Sequence, residues 1–159
     1  MQYPPEPQAH CIKINSDVAV KEETSFIGVV ARDHSGKVLE LKAAQLHTDI
    51  PELAEGYDVL QGLVLAKEKG WKKIWLESDS RNVIFQLENH DSTSAHWLSE
   101  GVFADIQSLR NDFQEVQFTW VSREENFLAH FVSQWCLKNN FVGSIPIDSL
   151  AGMFPIFVA

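Results

Sequence analysis

The sequence has few cysteines and no long apolar run. Cys11 and Cys136 are too few for a disulfide framework and too far apart for a Cys-x-x-Cys metal pair, which favours a reducing compartment, nuclear or cytoplasmic. No stretch has the length and hydrophobicity needed to cross a bilayer. The N-terminus MQYPPEPQAH lacks the basic and apolar regions of a signal peptide. These absences favour an intracellular protein that has no membrane partner.

Positive charge is also scarce. The chain has 13 Lys and Arg against 22 Asp and Glu, a formal net charge of −9. Modules that only bind nucleic acid usually carry a basic surface, so this balance argues against that class. It does not exclude an enzyme that gathers carboxylates around a divalent metal, because the ion reverses the local field.

The composition indicates one folded domain with two flanking segments. A length of 159 residues, 45% of them hydrophobic and 22% charged, suits a single globular core. Three prolines in residues 1–10 indicate a linker, residues 11–140 form the predicted domain, and residues 141–159 form an apolar C-terminal tail. We expect the tail to pack on the domain or to contact a protein partner, because an exposed apolar patch favours aggregation.

The hydrophobic pattern predicts the order β-β-β-α-β-α-α-β-α. Alternating positions indicate strands in residues 11–20, 25–33, 37–46, 72–78 and 115–121. Apolar residues at three- and four-residue spacing indicate helices in residues 51–69, 80–89, 97–113 and 122–137, with a polar loop at 90–96. The fold class is therefore α/β, with a five-stranded mixed sheet of three antiparallel strands and two parallel crossovers, flanked by about four helices.

Three acidic residues lie where strands end or a helix begins. Asp17 is near the end of the first strand, Glu55 is in the first turn of the first helix, and Asp79 follows the fourth strand. Each has an ordinary alternative: Asp17 can lead from a strand into a turn, Glu55 can stabilise the helix dipole, and Asp79 or Ser78 can cap the next helix. Together they are the oxygen ligands that Mg²⁺ prefers, and two such ions can clamp the oxygens of a phosphodiester displacement.

Five fragments occur in one order along the chain: KINSD, GVVARDHSGKVL, AEGYDVLQGLVLAKEKG, KKIWLESDS and VSREENFLAHFVS. Over about residues 11–140 they resemble the ribonuclease H-like domain of plant retroelement proteins, of the non-LTR reverse-transcriptase-like type. The resemblance implies the ribonuclease H-like fold. It also implies that Asp17, Glu55 and Asp79 are catalytic residues that hold Mg²⁺ or Mn²⁺.

Four positions depart from the family pattern. The family's fourth acidic residue lies in an Ala-Asp pair of the last helix, where this chain has Ala129-His130. We assign His130 to the catalytic set as a substitute ligand or proton shuttle; the alternative is a helical histidine at the core margin. Val18 replaces the usual Gly, Trp120 replaces a frequent His, and Gly56, a poor helix former, follows Glu55. These departures indicate an altered or weakened site.

Three functions fit this pattern. The favoured one is a metal-dependent endonuclease that cleaves the RNA strand of RNA–DNA hybrids, which the family reads by shape and 2′-hydroxyl groups. The alternative is a catalytically impaired module that binds nucleic acid, or a protein through its acidic surface or apolar tail. The third is a carboxylate cluster kept only for the fold. The candidate substrate contacts, each equally explained as a turn or cap hydrogen bond, are Asn15, Ser16, Ser78, Ser80, Asn82 and Arg123.

Overall fold

The computed structural model describes residues 10–89 and 100–149. Its strands are β1 Cys11–Lys21, β2 Thr24–Arg32, β3 Val38–Leu46, β4 Lys73–Ser78, β5 Glu115–Trp120 and β6 Gly143–Ser144. Its helices are α1 Pro51–Lys69, α2 Arg81–Asn89, α3 Glu100–Arg110 and α4 Phe127–Asn139, and a short 3-10 helix spans Ile147–Ser149. This order confirms the predicted α/β class. The loop predicted at 90–96 and most of the predicted linker lie outside the described residues.

The strands form one mixed sheet in the order β5-β4-β1-β2-β3-β6. The first three strands pair antiparallel through short connections, as predicted. The parallel pairs are β1 with β4 and β4 with β5, because a helical crossover returns the chain to the same end of the sheet each time. Among the described helices, none combines the length and hydropathy of a membrane span.

The prediction of five strands was one too few. Gly143 and Ser144 pair with Ala43 and Lys42 of β3, and the side chain of Ile145 is buried against α4 and the sheet. Two residues are too short for any alternation to be visible in the sequence. The first part of the segment assigned to the tail therefore joins the sheet, while the part beyond residue 149 lies outside the described residues.

Apolar cores lie on both faces of the sheet. Alternate residues of β2 point to opposite faces, so Ile27 and Val29 join the core under α1 to α3, whereas Phe26 and Val30 join the core under α4. Gly28 also faces α4, and a Cβ there would lie 2.6 Å from the backbone N of Ser133. Helix α4 therefore packs directly on the backbone of β2, above the centre of the sheet.

Candidate active site at the carboxyl end of strand β4

Asp17 lies inside β1, four residues before the strand ends at Lys21, and the predicted strand 11–20 agrees with the observed one to within one residue. Antiparallel pairing with β2 extends β1 as far as Lys21, and Asp17 itself pairs with Gly28. The parallel pairing of β1 with β4 stops at Asn15, opposite Glu77. Asp17 therefore lies just beyond this pairing, beside the carboxyl end of β4, which is where ligands bind in open α/β sheets.

His130 on α4 is far from Asp17 in the sequence, but the two side chains are in contact in the fold. Its Nδ1 lies 2.9 Å from Oδ2 of Asp17, and its ring is half-buried on α4. His130 is thus a helical histidine at the core margin, as the ordinary alternative has it, and it also bonds to a candidate metal ligand. The position that departs from the family pattern is thus in direct contact with the first carboxylate.

Glu55 lies one turn into α1, which begins at Pro51 after Ile50, without a side-chain cap. The acidic residue of the first turn is Glu52, so dipole stabilisation falls to that residue rather than to Glu55. The Ser80 hydroxyl donates a 3.0 Å hydrogen bond to Oε2 of Glu55. This bond joins α1 to the segment that carries Asp79.

Ser80, not Asp79 or Ser78, caps helix α2, so the predicted capping role was assigned to the wrong residues. The backbone N of Val83 donates to the Ser80 hydroxyl at 3.4 Å, and Ile84 N donates to the Ser80 carbonyl. The Asp79 carboxylate instead lies 3.8 Å from Nε of Arg123. Helix capping therefore does not account for Asp79.

Asp58 is a fourth carboxyl group at this site that our sequence reasoning missed. It lies on the buried face of α1, 1% exposed, and accepts a 3.0 Å hydrogen bond from the Ser16 hydroxyl next to Asp17. Burial raises its pKa well above the usual value, and the charges of Asp17, Asp79 and Glu55 act in the same direction. The available signal was an acidic residue on the apolar stripe of α1, three positions after Glu55.

The carboxylates influence one another electrostatically. Burial raises the pKa of Asp17, and the nearby charge of Asp79 raises it further, against the hydrogen bond to His130. Burial also raises the pKa of Glu55, opposed by the Ser80 hydrogen bond and assisted by Asp79 and Asp17. Such mutual destabilisation of the ionised forms is what a bound cation relieves.

The donor chemistry of this site fits a hard divalent cation. Carboxylate oxygens are the ligands that Mg²⁺ and Mn²⁺ prefer. Within residues 10–89 and 100–149, however, no three His, Cys, Asp or Glu side chains are already grouped so that they could hold one ion. Asp17 is hydrogen-bonded to His130 and Glu55 to Ser80. Shared ligation of one ion therefore requires these side chains to move closer together.

Four of the six predicted substrate contacts are buried, namely Asn15, Ser16, Ser78 and Ser80, whereas Asn82 and Arg123 are exposed. Asn15 Nδ2 donates at 3.0 Å to Oε1 of Glu77 and at 3.0 Å to Oδ1 of Asn126. Asn126 in turn donates at 3.0 Å to the backbone carbonyl of Ser16. Asn126, which our sequence reasoning missed, thereby ties the start of α4 to β1 next to Asp17.

Comparisons with known proteins agree with this architecture. A family model described as reverse transcriptase-like matches residues 15–136. The chain belongs to this reverse transcriptase-like family. The family match bears out the expected resemblance, while a plant origin stays a prediction. No curated protein sequence matches this family member.

Solved structures similar to this reverse transcriptase-like chain share its fold at low sequence identity. RNase H1 from the halophilic archaeon Halobacterium salinarum NRC-1 is 19% identical with a TM-score of 0.71, covering 81% of this chain and 98% of that one. LC11-RNase H1 in complex with an RNA/DNA hybrid is 18% identical with a TM-score of 0.70, with the same coverage. The foamy viral protease-reverse transcriptase in complex with an RNA/DNA hybrid is 10% identical with a TM-score of 0.62, covering 84% of this chain and 21% of that one. These matches confirm the ribonuclease H-like fold.

Proposed function

We propose that this chain is a divalent-metal-dependent endonuclease that cleaves the RNA strand of RNA–DNA hybrids at a weakened site. The observation that carries the proposal is that Asp17, Glu55 and Asp79 influence one another electrostatically beside the carboxyl end of β4: the charge of Asp79 contributes to raising the pKa of both Asp17 and Glu55. The family match and the fold shared with RNase H1 proteins support it. Two structural neighbours were solved with an RNA/DNA hybrid, which supports this substrate class.

Asp17, Glu55 and Asp79 are the residues that would hold Mg²⁺ or Mn²⁺. Such an ion, when bound, supplies an activated water and stabilises negative charge at the phosphate. The chain itself orients these ligands: Ser80 holds Glu55 through its hydroxyl, and Arg123 lies beside Asp79. A phosphate brought to this acidic site also needs cationic contacts, which the exposed Arg123 offers.

His130 weakens the proposed site and gives it a proton carrier. Its hydrogen bond occupies Oδ2 of Asp17, one of the oxygens that a metal would use. An imidazole also adds no negative charge, so a second ion is held less tightly than by a fourth carboxylate. In exchange, the ring can accept or release a proton beside Asp17, as a shuttle requires.

A second candidate function is a catalytically impaired module that binds nucleic acid. The observation that favours it is the closed Asp17–His130 contact, together with the absence of a preformed three-residue metal group in the part of the chain that the structure describes. A site whose side chains must rearrange before they hold a metal can retain binding while losing hydrolysis. A protein-binding role through the acidic surface or tail stays a less specific alternative.

Hydrolysis of an end-labelled RNA–DNA hybrid tests the nuclease proposal. We expect cleavage with Mg²⁺ or Mn²⁺, and loss of cleavage in Asp79→Asn. The matched control is Asp105→Asn, which removes the same charge from the exposed face of α3 and should cleave like the parent. No cleavage by the parent with either ion would contradict the nuclease. Binding of the same hybrid without cleavage would support the impaired module.

A further inference from the structure

Trp120 is a partly exposed tryptophan whose indole is bonded to the segment that carries Asp79. It ends β5, is 38% exposed, and its Nε1 donates a 3.1 Å hydrogen bond to the backbone carbonyl of Asp79. One edge of the ring is therefore anchored, which fixes the orientation of its faces. The resemblance to the family leads one to expect a histidine at this position, so the indole is a feature of this chain.

Arg81 stacks on this anchored ring. Its guanidinium carbon lies 4.2 Å from the centroid of the Trp120 ring, and the side chain projects from the first residue of α2, two positions after Asp79. Stacking uses the face of a guanidinium and leaves its N–H donors in the plane, where they can meet a phosphate. Among the described residues, no carboxylate forms an ion pair with Arg81.

Arg123 approaches Asp79 from the other direction. Its Nε lies 3.8 Å from Oδ2 of Asp79, and its side chain is 79% exposed. An ion pair with one partner this exposed, at a separation of 3.8 Å, contributes little stability, so the fold does not require Arg123 there. Two guanidinium groups therefore lie near Asp79. Arg81 stacks on Trp120, which bonds to the Asp79 carbonyl, and Arg123 approaches the Asp79 carboxylate directly. Such a pair of cations is notable in a chain with a net charge of −9.

We propose that Arg81 and Arg123 bind backbone phosphates of the nucleic-acid strand at the site, and that Trp120 is the positioning residue that holds Arg81. This inference rests on the proposed binding of nucleic acid at Asp79. An acidic site repels a polyanion, so cations next to it are needed to bring the strand in. Guanidinium groups suit this role because their planar fork matches two phosphate oxygens, and such contacts are independent of base sequence.

The salt dependence of binding tests this assignment. The dissociation constant of a fluorescein-labelled RNA–DNA hybrid is measured by anisotropy in EDTA, where metal-dependent hydrolysis is suppressed, over a series of salt concentrations. Loss of one phosphate contact reduces the slope of log K against log salt by about 0.9 and weakens binding roughly five- to tenfold near 0.1 M salt. We expect this change for Arg81→Gln and for Arg123→Gln, whereas Arg81→Lys restores the slope because the charge is kept. Lys138→Gln, on the exposed end of α4, is the charge-matched control and should bind like the parent.

A double-mutant cycle tests whether Trp120 acts through Arg81 or contributes to binding independently. We expect Trp120→Leu to weaken binding, and Arg81→Gln to add little in that background, since Arg81 has already lost its support. Full additivity would overturn the positioning role. If both Arg→Gln variants bind with the parent's dissociation constant and slope, the phosphate contacts are overturned while the proposed function stands. If the parent itself binds no hybrid in EDTA, the phosphate contacts are overturned, and the cleavage assay with Mg²⁺ or Mn²⁺ decides the proposed function separately.

Discussion

Nδ1 of His130 on α4 lies 2.9 Å from Oδ2 of Asp17 on β1. This distance depends on how closely α4 approaches the sheet. Gly28 of β2 pairs with Asp17 in the sheet, and α4 rests on its backbone, because a Cβ at Gly28 would lie 2.6 Å from Ser133 N and 3.0 Å from the Ala129 carbonyl. Because glycine has no side chain, Gly28 allows α4 to approach the sheet closely enough for His130 to reach Asp17.

Gly28→Ala should lower the free energy of unfolding and separate Asp17 from His130. The added methyl meets backbone atoms of α4 that cannot rotate away, and overpacking of this kind typically costs about 1–3 kcal/mol. Urea unfolding measures the loss. The control is Gly101→Ala on α3, where a Cβ meets nothing within 4 Å. That variant should be at least as stable as the parent, since the methyl meets no other atom and alanine favours a helix. Equal stability of the parent and Gly28→Ala would show that α4 adjusts freely.

His130→Asp should exchange stability for metal affinity. Without metal, the variant loses the hydrogen bond to Asp17 and places two carboxylates together, which should destabilise it by about 1–3 kcal/mol in EDTA. With Mn²⁺, the added carboxylate should tighten binding by roughly tenfold, and activity should rise with it. Calorimetric titration of Mn²⁺ and the hybrid cleavage assay measure the two effects. His130→Asn, which removes the imidazole without adding charge, is the control. Unchanged affinity and activity in His130→Asp would show that position 130 lies outside the site.

The pattern of the sequence was sufficient for the first five strands and for the presence of the four helices, but not for β6 or for the details at the site. Alternation along β1 to β5 and helical spacing in α1 are local properties, so they can be read from neighbouring residues. The capping of α2 could not be assigned, because Ser78, Asp79 and Ser80 are three consecutive candidates and only the start of the helix at Arg81 selects the last.

The buried polar partners could not be predicted for a different reason. Asp58 bonds to Ser16 across 42 positions, and Asn15 bonds to Asn126 across 111. The local sequence does not reveal the partner in such a pair: the place of Asp58 on the apolar stripe of α1 marks it as buried, but not as bonded to Ser16. The contact of His130 with Asp17 was anticipated only through the family resemblance. The catalytic and metal-binding roles of Asp17, Glu55 and Asp79 stay predictions.

Asn126→Ala should destabilise the chain and loosen α4 at its first turn. Asn126 is 1% exposed, and its side chain joins Asn15 to the Ser16 carbonyl. Truncation leaves a buried carbonyl without this donor, which costs about 1–3 kcal/mol. Urea unfolding should show this loss of stability. Calorimetric titration of Mn²⁺ should show reduced metal affinity. Asn139→Ala is the control, because the side chain of the exposed Asn139 donates to the Trp135 carbonyl one turn back within its own helix, and its loss should change stability by less than about 0.5 kcal/mol. Equal losses in both variants would contradict a special role for Asn126.

Asp58→Asn should change how stability depends on pH. Burial raises the pKa of Asp58 in the folded chain above its ordinary value of 3.8. Below pH 3.8 the carboxyl group is protonated in both the folded and the unfolded chain, so it does not lower the free energy of unfolding. As the pH rises past this value, the unfolded chain releases the proton while the folded chain retains it. The free energy of unfolding therefore falls until the pH passes the raised pKa.

Asparagine keeps an oxygen that accepts the Ser16 hydrogen bond and cannot ionise in this range. The stability of Asp58→Asn relative to the parent should therefore improve as the pH rises above the ordinary pKa of an aspartate, and level off once the pH passes the raised pKa of Asp58. Part of the slope persists in the variant, because burial also raises the pKa of Asp17 and Glu55. Urea unfolding at several pH values measures the difference, with Asp105→Asn on the exposed face of α3 as the control for removing a charge. A difference between Asp58→Asn and the parent that does not vary with pH would show that Asp58 ionises as readily in the folded chain as in the unfolded one.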